Sequence, residues 1–343
     1  MKIIRQGRAA TALALATAAS VLAVPAGVAA QNEAGFRPVV AQMEAVLQAH
    51  HFNRDELEGE RYDTTLAALY AVADEAPDQE AFLAGFQEIW SDGPFSHVNL
   101  VASDNTSEAM SAFFDSMNAG PDAVQLRWDE DVAVLSIHTM MGQDTITAIE
   151  AAIDEVAARD ADALIIDLRR NEGGALAMRP TVAGVIDTPL DAGYFISRRW
   201  TDQHDRLPGR QELAALEAWS GWSIRAFWND IVDQAVIRVR FEPAETVYHG
   251  EVFVLTSETT ASAAEMAVEA LQASGRAQVV GEPTAGEMLS QKPFDLDGGC
   301  LLFLPIADYY SLASGRIEGN PVQPDVAVEA GQALARALEL ARH

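Results

Sequence analysis

The chain has 343 residues but little cysteine and few basic side chains. Cys300 is the only cysteine, which excludes an internal disulfide and any zinc site built on several cysteines. Basic residues number 23 against 51 acidic ones, a formal net charge of −28. Nucleic acids and anionic membranes are bound through basic surfaces, so this composition disfavours both as partners. With 49% hydrophobic and 22% charged residues, the chain is otherwise typical of a globular protein.

Residues 1–30 have the pattern of a secretory signal peptide. A positively charged start precedes an Ala/Leu/Val stretch over residues 9–24, and the small residues Val28 and Ala30 stand at positions −3 and −1 of a cleavage site. An N-terminal membrane anchor is the alternative, but the stretch is short and alanine-rich for a span. No later stretch is apolar enough to cross a membrane. We therefore expect a periplasmic or secreted protein.

The rest of the chain divides into two predicted parts. Residues 31–93 carry apolar side chains at helical spacing, which predicts an N-terminal subdomain of three short helices, the third capped by Asp78. Residues 94–343 alternate short apolar runs, such as 163–167, with helical patterns. This alternation predicts an α/β layer fold with parallel strand pairing.

Four of the six tryptophans lie in a less regular stretch over residues 186–250. A Trp-rich insertion around 200–235 has two interpretations. It could be a helical insertion that packs its own aromatic side chains, or a lid or wall of a substrate cleft. These tryptophans are Trp200, Trp219, Trp222 and Trp228.

Three segments could carry chemistry. Ser262 stands where a buried strand is followed by a helix, and the exposed N–H groups of a helix N-terminus can stabilise an oxyanion. Capping alone also explains a serine there, because serine is an ordinary N-cap. A second strand leads into Gly173 and Gly174, which let backbone N–H groups approach a ligand or simply form a tight turn. The pair Ser96-His97 is uninformative on its own.

Taken together, the segments resemble the S41 serine peptidases, the family of tail-specific (C-terminal processing) proteases, tricorn core and interphotoreceptor retinoid-binding protein. The resemblance runs from about Asp92 to Val328. Its motifs occur in the family's order, and they are LIIDLRRNEGG at 164–174, TASAAE at 260–265, GRAQVVGEPTAG at 275–286 and IEGNPVQPDV at 317–326. The resemblance implies a ClpP/crotonase-like α/β core.

The family has two catalytic arrangements, and this sequence departs from one of them. The tail-specific branch uses a lysine just after the third motif, with a glutamine four residues later. Here Glu287 occupies the lysine position, although Gln291 matches the glutamine, and Lys292 is displaced by one residue. A Ser/Lys dyad is therefore absent.

The tricorn-like branch instead implies a tetrad. Ser262 would be the nucleophile, His97 the general base, and Ser96 with Glu318 would orient the imidazole and favour its charged form. The resemblance also implies an oxyanion hole formed by the backbone N–H groups of Ala263 and of Gly173 or, as second choice, Gly174. Glu265 is interpreted as structural. The list of implied site residues is thus Ser262, His97, Ser96, Glu318, Gly173, Gly174 and Ala263.

The resemblance implies a serine endopeptidase that acts on peptide or protein substrates without a metal or cofactor. About 26 residues separate His97 from the strand near Val124, too few for the PDZ domain that tail-specific proteases usually carry. A non-catalytic carrier of a retinoid-like or lipid-like ligand on the same fold is the first alternative, because fold does not fix function. An esterase acting on small acyl substrates is the second.

Overall fold

The computed structural model describes residues 35–342, so the predicted signal peptide lies outside the described residues. The three expected N-terminal helices are present, and Asp78 caps the third by accepting a hydrogen bond from the Ala81 N–H at 2.9 Å. The α-helices that the structure describes are, in chain order, Arg37–His50 (α1), Glu60–Glu75 (α2), Gln79–Trp90 (α3), Ser107–Ser116 (α4), Gln143–Ala158 (α5), Met178–Ala183 (α6), Arg198–Thr201 (α7), Arg210–Ala214 (α8), Ile224–Asp233 (α9), Ala263–Ala273 (α10) and Ala330–Leu340 (α11).

Residues 35–342 also form twelve strands that assemble into two sheets. In chain order they are Asn99–Ala102 (β1), Val124–Asp129 (β2), Val132–Ile137 (β3), Ala163–Asp167 (β4), Leu190–Ser197 (β5), Val236–Phe241 (β6), Glu251–Thr256 (β7), Gln278–Gly281 (β8), Leu289–Leu296 (β9), Cys300–Ser311 (β10), Gly315–Arg316 (β11) and Val326–Ala327 (β12).

The first sheet has the strand order β12-β8-β7-β4-β3-β2. Its neighbours from β12 to β3 pair in parallel, as the alternating pattern predicts, and β2 closes one edge as an antiparallel hairpin with β3. The central strands are apolar on both faces because both are covered. Helices α5 and α10 pack on one face, and α11 covers the other through Ala333 and Ala337.

The second sheet is entirely antiparallel and was not expected. Strand β10 lies at its centre and pairs with β1, β5, β9 and β11, while β6 extends the sheet beyond β5. The expectation of parallel pairing therefore holds for only one of the two sheets. Two strands of this sheet, β5 and β6, fall in the segment that showed no clear pattern. Strand β5 is buried over six consecutive residues and lacks alternation, whereas β6 does alternate between buried and partly exposed residues from Ile237 to Phe241, which is a strand signal.

The Trp-rich insertion is helical, but its tryptophans do not form one cluster. Trp200 packs with Leu213 and part of β5 in a small cluster, whereas Trp228 on α9 joins the main core. Trp219 is partly buried, and Trp222 is 49% exposed. The insertion is thus partly structural and partly a wall of the cavity described below. Within residues 35–342, no helix has the length and apolarity needed to cross a membrane.

Candidate active site

Ser262 lies at a strained junction between β7 and α10. It is the N-cap of the helix and has φ 56° and ψ −124°, a backbone conformation that side-chain-bearing residues rarely adopt. Nucleophilic serines of other hydrolases also stand on a sharp strand-to-helix turn. Gly173 packs so closely here that an added Cβ would lie 2.6 Å from the Ser262 Cβ. The junction therefore presents one serine hydroxyl at the start of a helix, against a glycine loop.

The buried carboxylate of Glu265 holds this junction in place. Its Oε2 accepts hydrogen bonds from the backbone N–H of Ser262 at 3.0 Å and of Glu287 at 2.9 Å. Its Oε1 accepts from the Thr284 hydroxyl at 2.5 Å and from the Gly286 N–H at 2.8 Å. Burial raises the pKa of Glu265 to about 7, while these donors act in the opposite direction. Glu265 thus ties the third motif to the serine, in agreement with its interpretation as structural.

Ser96, His97 and Glu318 form one hydrogen-bonded chain. The Ser96 hydroxyl donates to Glu318 Oε1 at 2.7 Å and lies 2.8 Å from His97 Nδ1. The other oxygen of Glu318 accepts from the Met288 N–H at 2.7 Å. Because the single hydroxyl proton of Ser96 is directed at Glu318, its oxygen accepts the proton on Nδ1. The lone pair of the imidazole is then on Nε2, where a base toward a serine hydroxyl needs it.

The imidazole of His97 is half-buried, and it lines a cavity that is also lined by the side chains of Glu172, Glu287 and Glu318. Burial lowers the pKa of His97, and the negative charge of Glu287 acts against that effect. Burial raises the pKa of Glu318, which the hydrogen bond from Ser96 opposes. Glu172 also faces the site, and burial together with Glu287 raises its pKa. The residue at the family's lysine position therefore acts on His97 as a negative charge.

The loop that carries His97 is held by the helical subdomain, which sequence reasoning had not connected with the site. The ring of Phe95 stacks on the buried His51, with centroids 4.0 Å apart, and its carbonyl accepts a hydrogen bond from Trp90 Nε1 at 3.2 Å. His97 itself has a positive φ of 59°. A buried histidine after α1 and an aromatic residue beside Ser96 were the available signals, and neither has a fixed spacing that would reveal the contact.

The backbone N–H groups predicted for the oxyanion hole differ in their hydrogen bonds. The Gly173 N–H, which was the first choice, donates to the Asn171 side chain at 2.8 Å within its own loop. Among residues 35–342, no acceptor hydrogen-bonds the N–H of Gly174 or that of Ala263. The second choice, Gly174, thus remains available together with Ala263. Asn171 had no assigned role in the sequence, although a short amide side chain before two glycines is a typical means of fixing such a turn.

The candidate catalytic groups line one cavity of about 1400 Å³, and they are Ser96, His97, Gly173, Gly174, Ser262, Ala263 and Glu318. Ser262 and His97 both line it, and no hydrogen bond joins them in the described part of the chain. Such catalytic contacts commonly tighten only when substrate binds. Gln291 also lines the cavity, whereas Lys292 is directed toward the ring of Phe294 at 5.8 Å.

One side of the cavity is strongly apolar. It is built by α4, α9, the start of α10 and the antiparallel sheet, so the Trp-rich insertion contributes to it. Within residues 35–342, no group of three or more His, Cys, Asp or Glu side chains could hold a metal ion. The main apolar lining residues are Phe114, Phe195, Phe227, Trp228, Met266 and Phe303.

Curated relatives and solved structures show what this chain is similar to. The carboxyl-terminal-processing protease of Picosynechococcus sp. is 28% identical over 182 residues, which cover 53% of this chain and 36% of that protein. The chain thus spans about a third of the length of that relative. A candidate peptidase from Parabacteroides merdae has a similar structure, with a TM-score of 0.61, 14% identity and coverage of 90% of this chain and 97% of that chain.

The photosystem II D1 C-terminal processing protease is a second structural neighbour. Its TM-score is 0.53 at 13% identity, and the match covers 88% of this chain and 97% of that one. These likenesses confirm the predicted ClpP/crotonase-like α/β fold with its helical N-terminal region. The family model described as peptidase family S41 matches residues 131–328, which contain Ser262 and Glu318 but not His97. The chain therefore belongs to peptidase family S41.

Proposed function

We propose that this protein is a serine peptidase in which Ser262 is the nucleophile and His97 the general base. The observation that carries the proposal is the meeting of two independent arrangements in one cavity. One is the strained serine at the start of α10, and the other is the hydrogen-bonded chain from Glu318 through Ser96 to His97. A serine hydroxyl needs an adjacent base to act near neutral pH, and this chain supplies one.

The chemistry follows from the hydrogen bonds. Ser262 Oγ attacks the carbonyl carbon of the scissile bond while His97 Nε2 takes the hydroxyl proton. The Nδ1–H of the resulting imidazolium donates a hydrogen bond to the Ser96 oxygen, and the Ser96 hydroxyl donates its own proton to Glu318. His97 then gives its Nε2 proton to the leaving amine, and the C–N bond breaks. A water molecule then attacks the acyl carbon while His97 Nε2 takes its proton, and His97 returns that proton to Ser262 Oγ as the acyl group leaves.

The negative oxygen of the tetrahedral intermediate needs donors that are not otherwise engaged. The N–H groups of Gly174 and Ala263 meet this requirement, and Ala263 lies at the positive end of α10. Losing one such donor typically costs about 2.7–4 kcal/mol of transition-state stabilisation. The Asn171–Gly173 hydrogen bond fixes the loop that carries one of them.

The substrate is proposed to be a peptide or protein with a large apolar side chain beside the scissile bond. The apolar wall of the cavity adjoins Ser262 through Met266, one turn further along α10. We also propose that the protein acts in the periplasm or outside the cell, because residues 1–30 have the pattern of a signal peptide. Sequencing of the N-terminus of protein from its native host should then begin within a residue or two of Gln31.

A fluorophosphonate probe tests the catalytic proposal directly. The intact protein should form one covalent adduct, which peptide mass spectrometry should assign to Ser262. Labelling should disappear in Ser262→Ala and fall strongly in His97→Ala. Ser290→Ala is the matched control, because Ser290 lines the same cavity on β9 and should leave labelling unchanged.

Substrate turnover separates peptidase from the other functions that this fold could serve. Wild-type enzyme that has not been treated with the probe should release new N-termini from a casein digest, with loss of activity in Ser262→Ala. Turnover of p-nitrophenyl acyl esters without any peptide cleavage would indicate an esterase instead. A folded protein that forms no adduct and cleaves neither class would be a binding protein, and the proposal would be wrong.

A further inference from the structure

Arginines that line the catalytic cavity differ in how they are paired. Arg61 lies 3.7 Å from Asp92, and Arg240 lies 2.9 Å from Glu242. Arg179, at the start of α6, has no acidic partner within residues 35–342. In a chain with 51 acidic residues, a half-buried guanidinium without a carboxylate beside it is unusual.

Aromatic side chains of the Trp-rich insertion hold Arg179 in place. The guanidinium carbon lies 4.6 Å from the ring centroid of Trp222 and 5.6 Å from that of Trp219. One of its terminal nitrogens donates to the carbonyl of Gly221. This contact uses one donor of a group that has five N–H bonds. The stacked rings restrict the guanidinium, so a ligand would find its remaining donors already oriented.

Arg179 lies close in sequence to the glycine loop of the candidate active site. It lies five residues after Gly174 on the segment that carries the glycine loop, and both residues line the same cavity. Burial lowers the pKa of Arg179, and no neighbouring carboxylate opposes this effect. An anion bound there would therefore meet a partly desolvated and uncompensated positive charge.

We propose that Arg179, with Trp222 beside it, forms a subsite for a carboxylate of the substrate. The inference rests on the proposed peptidase function, because it deepens the substrate class of the same cavity. A peptide offers this chemistry from two sources, the carboxylate at its chain end and the side chain of Asp or Glu. The planar guanidinium matches either one in a bidentate geometry.

Matched peptides test the subsite in the Ser262→Ala variant, so that no turnover is needed. The first pair is acetyl-Ala-Phe-Ala-Leu with a free carboxylate and the same peptide as its amide. The second pair ends in an amide in both cases and carries Glu or Gln at the third position. Titration calorimetry gives the dissociation constants. At least one pair should show about tenfold tighter binding of the acidic member, as expected for one charge-assisted pair.

Substitutions of Arg179 then assign the preference. Arg179→Met should abolish the difference within the pair, and Arg179→Lys should retain part of it because the charge remains. Arg210→Met is the matched control, since it removes one exposed arginine outside the cavity and should leave the preference unchanged. A preference in the first pair only identifies the chain end as the source, and one in the second pair only identifies a side chain.

Two results would overturn the subsite. One is the absence of any preference for the acidic peptides, including the case in which no peptide binds. The other is an equal loss of affinity for both members of a pair in Arg179→Met, which is what a role in merely supporting the Trp219–Trp222 segment predicts. Because the titration does not depend on Ser262, it is independent of the fluorophosphonate experiment, and failures of the two proposals can be told apart.

Discussion

Replacing Glu265 by glutamine is the sharpest test of how the nucleophile junction is held. Both oxygens of this fully buried carboxylate accept two hydrogen bonds each. An amide has only one oxygen, so its NH₂ group must face two donors in either orientation. Toward Ser262 and Glu287 it would meet two backbone N–H groups. Toward Thr284 and Gly286 it would meet a hydroxyl, which can rotate and accept, and one backbone N–H, which cannot.

The second orientation costs less free energy, so it determines the expected loss of stability in Glu265→Gln. The Gly286 N–H loses its partner, which costs about 1–3 kcal/mol. The two bonds to Ser262 and Glu287 change from a charged to a neutral acceptor, at about 1 kcal/mol each. The sum of about 3–5 kcal/mol is offset in part, because a neutral amide is easier to bury than the carboxylate whose pKa burial raises to about 7. We expect a net loss of about 1–3 kcal/mol in the free energy of unfolding.

Glu269→Gln is a matched control on the same helix. Glu269 is also buried, but the hydroxyls of Ser311 and Ser314 both donate to its Oε1. The amide oxygen of glutamine can take that position and keep both bonds. The control should therefore lose less than Glu265→Gln, although the two substitutions are chemically identical.

Urea unfolding at pH 8, followed by circular dichroism, measures both free energies, and initial rates give kcat. Glu265→Gln should lower kcat by at least about tenfold, because a donor pushed away from the amide displaces the loop that packs against Ser262. The fluorophosphonate labelling rate should fall in parallel. Equal stability losses in the two variants, or an unchanged kcat in Glu265→Gln, would refute the view that these four hydrogen bonds position the serine.

Two further predictions concern the general base, His97. Because burial lowers the pKa of His97 and only the neutral imidazole accepts a proton, the acid limb of kcat/KM should lie below pH 6.5. Glu287→Gln should move this limb to still lower pH, because it removes a negative charge that raises the pKa of His97. A shift to higher pH in the variant would contradict this prediction. Ser96→Ala should lower kcat about 10- to 100-fold with little change in KM, because the imidazolium loses one charge-assisted hydrogen bond. If steady-state kinetics give the wild-type kcat for this variant, Ser96 does not orient His97.

The parts of the site that lie on regular elements were accessible from the sequence. Ser262 follows an apolar run and precedes a helical pattern, and both features are local. The spacing from Ser262 to Glu265 is that of a capping box, in which the carboxylate returns to the N-cap N–H, and the structure has that contact at 3.0 Å. The replacement of the family's lysine by Glu287 can likewise be read directly from the sequence.

Features that depend on three-dimensional geometry were not accessible. The Gly173 N–H is directed at the side chain of Asn171, and composition does not encode this direction. Strand β5 was missed because both of its faces are buried, one in the main core and the other in the small cluster around Trp200, so its sequence does not alternate. The stacking of His51 on Phe95 brings together residues 44 positions apart, since the helical subdomain packs against the loop of His97.

Some of the candidate catalytic residues lie outside the residues that the family model matches. Ser96 and Glu318 are separated by 222 positions, yet one hydrogen bond of 2.7 Å joins them. Residues 131–328 supply the serine, the glycine loop and the carboxylate, whereas the imidazole comes from a loop that α3 and the residue after α1 hold from outside that range. Both His97 and Ser262 have positive φ values, a strain that surrounding contacts must over-determine. In the proposed mechanism the base stands on a loop that the helical subdomain holds through Phe95, so we expect that subdomain to be part of the active site together with the core motifs.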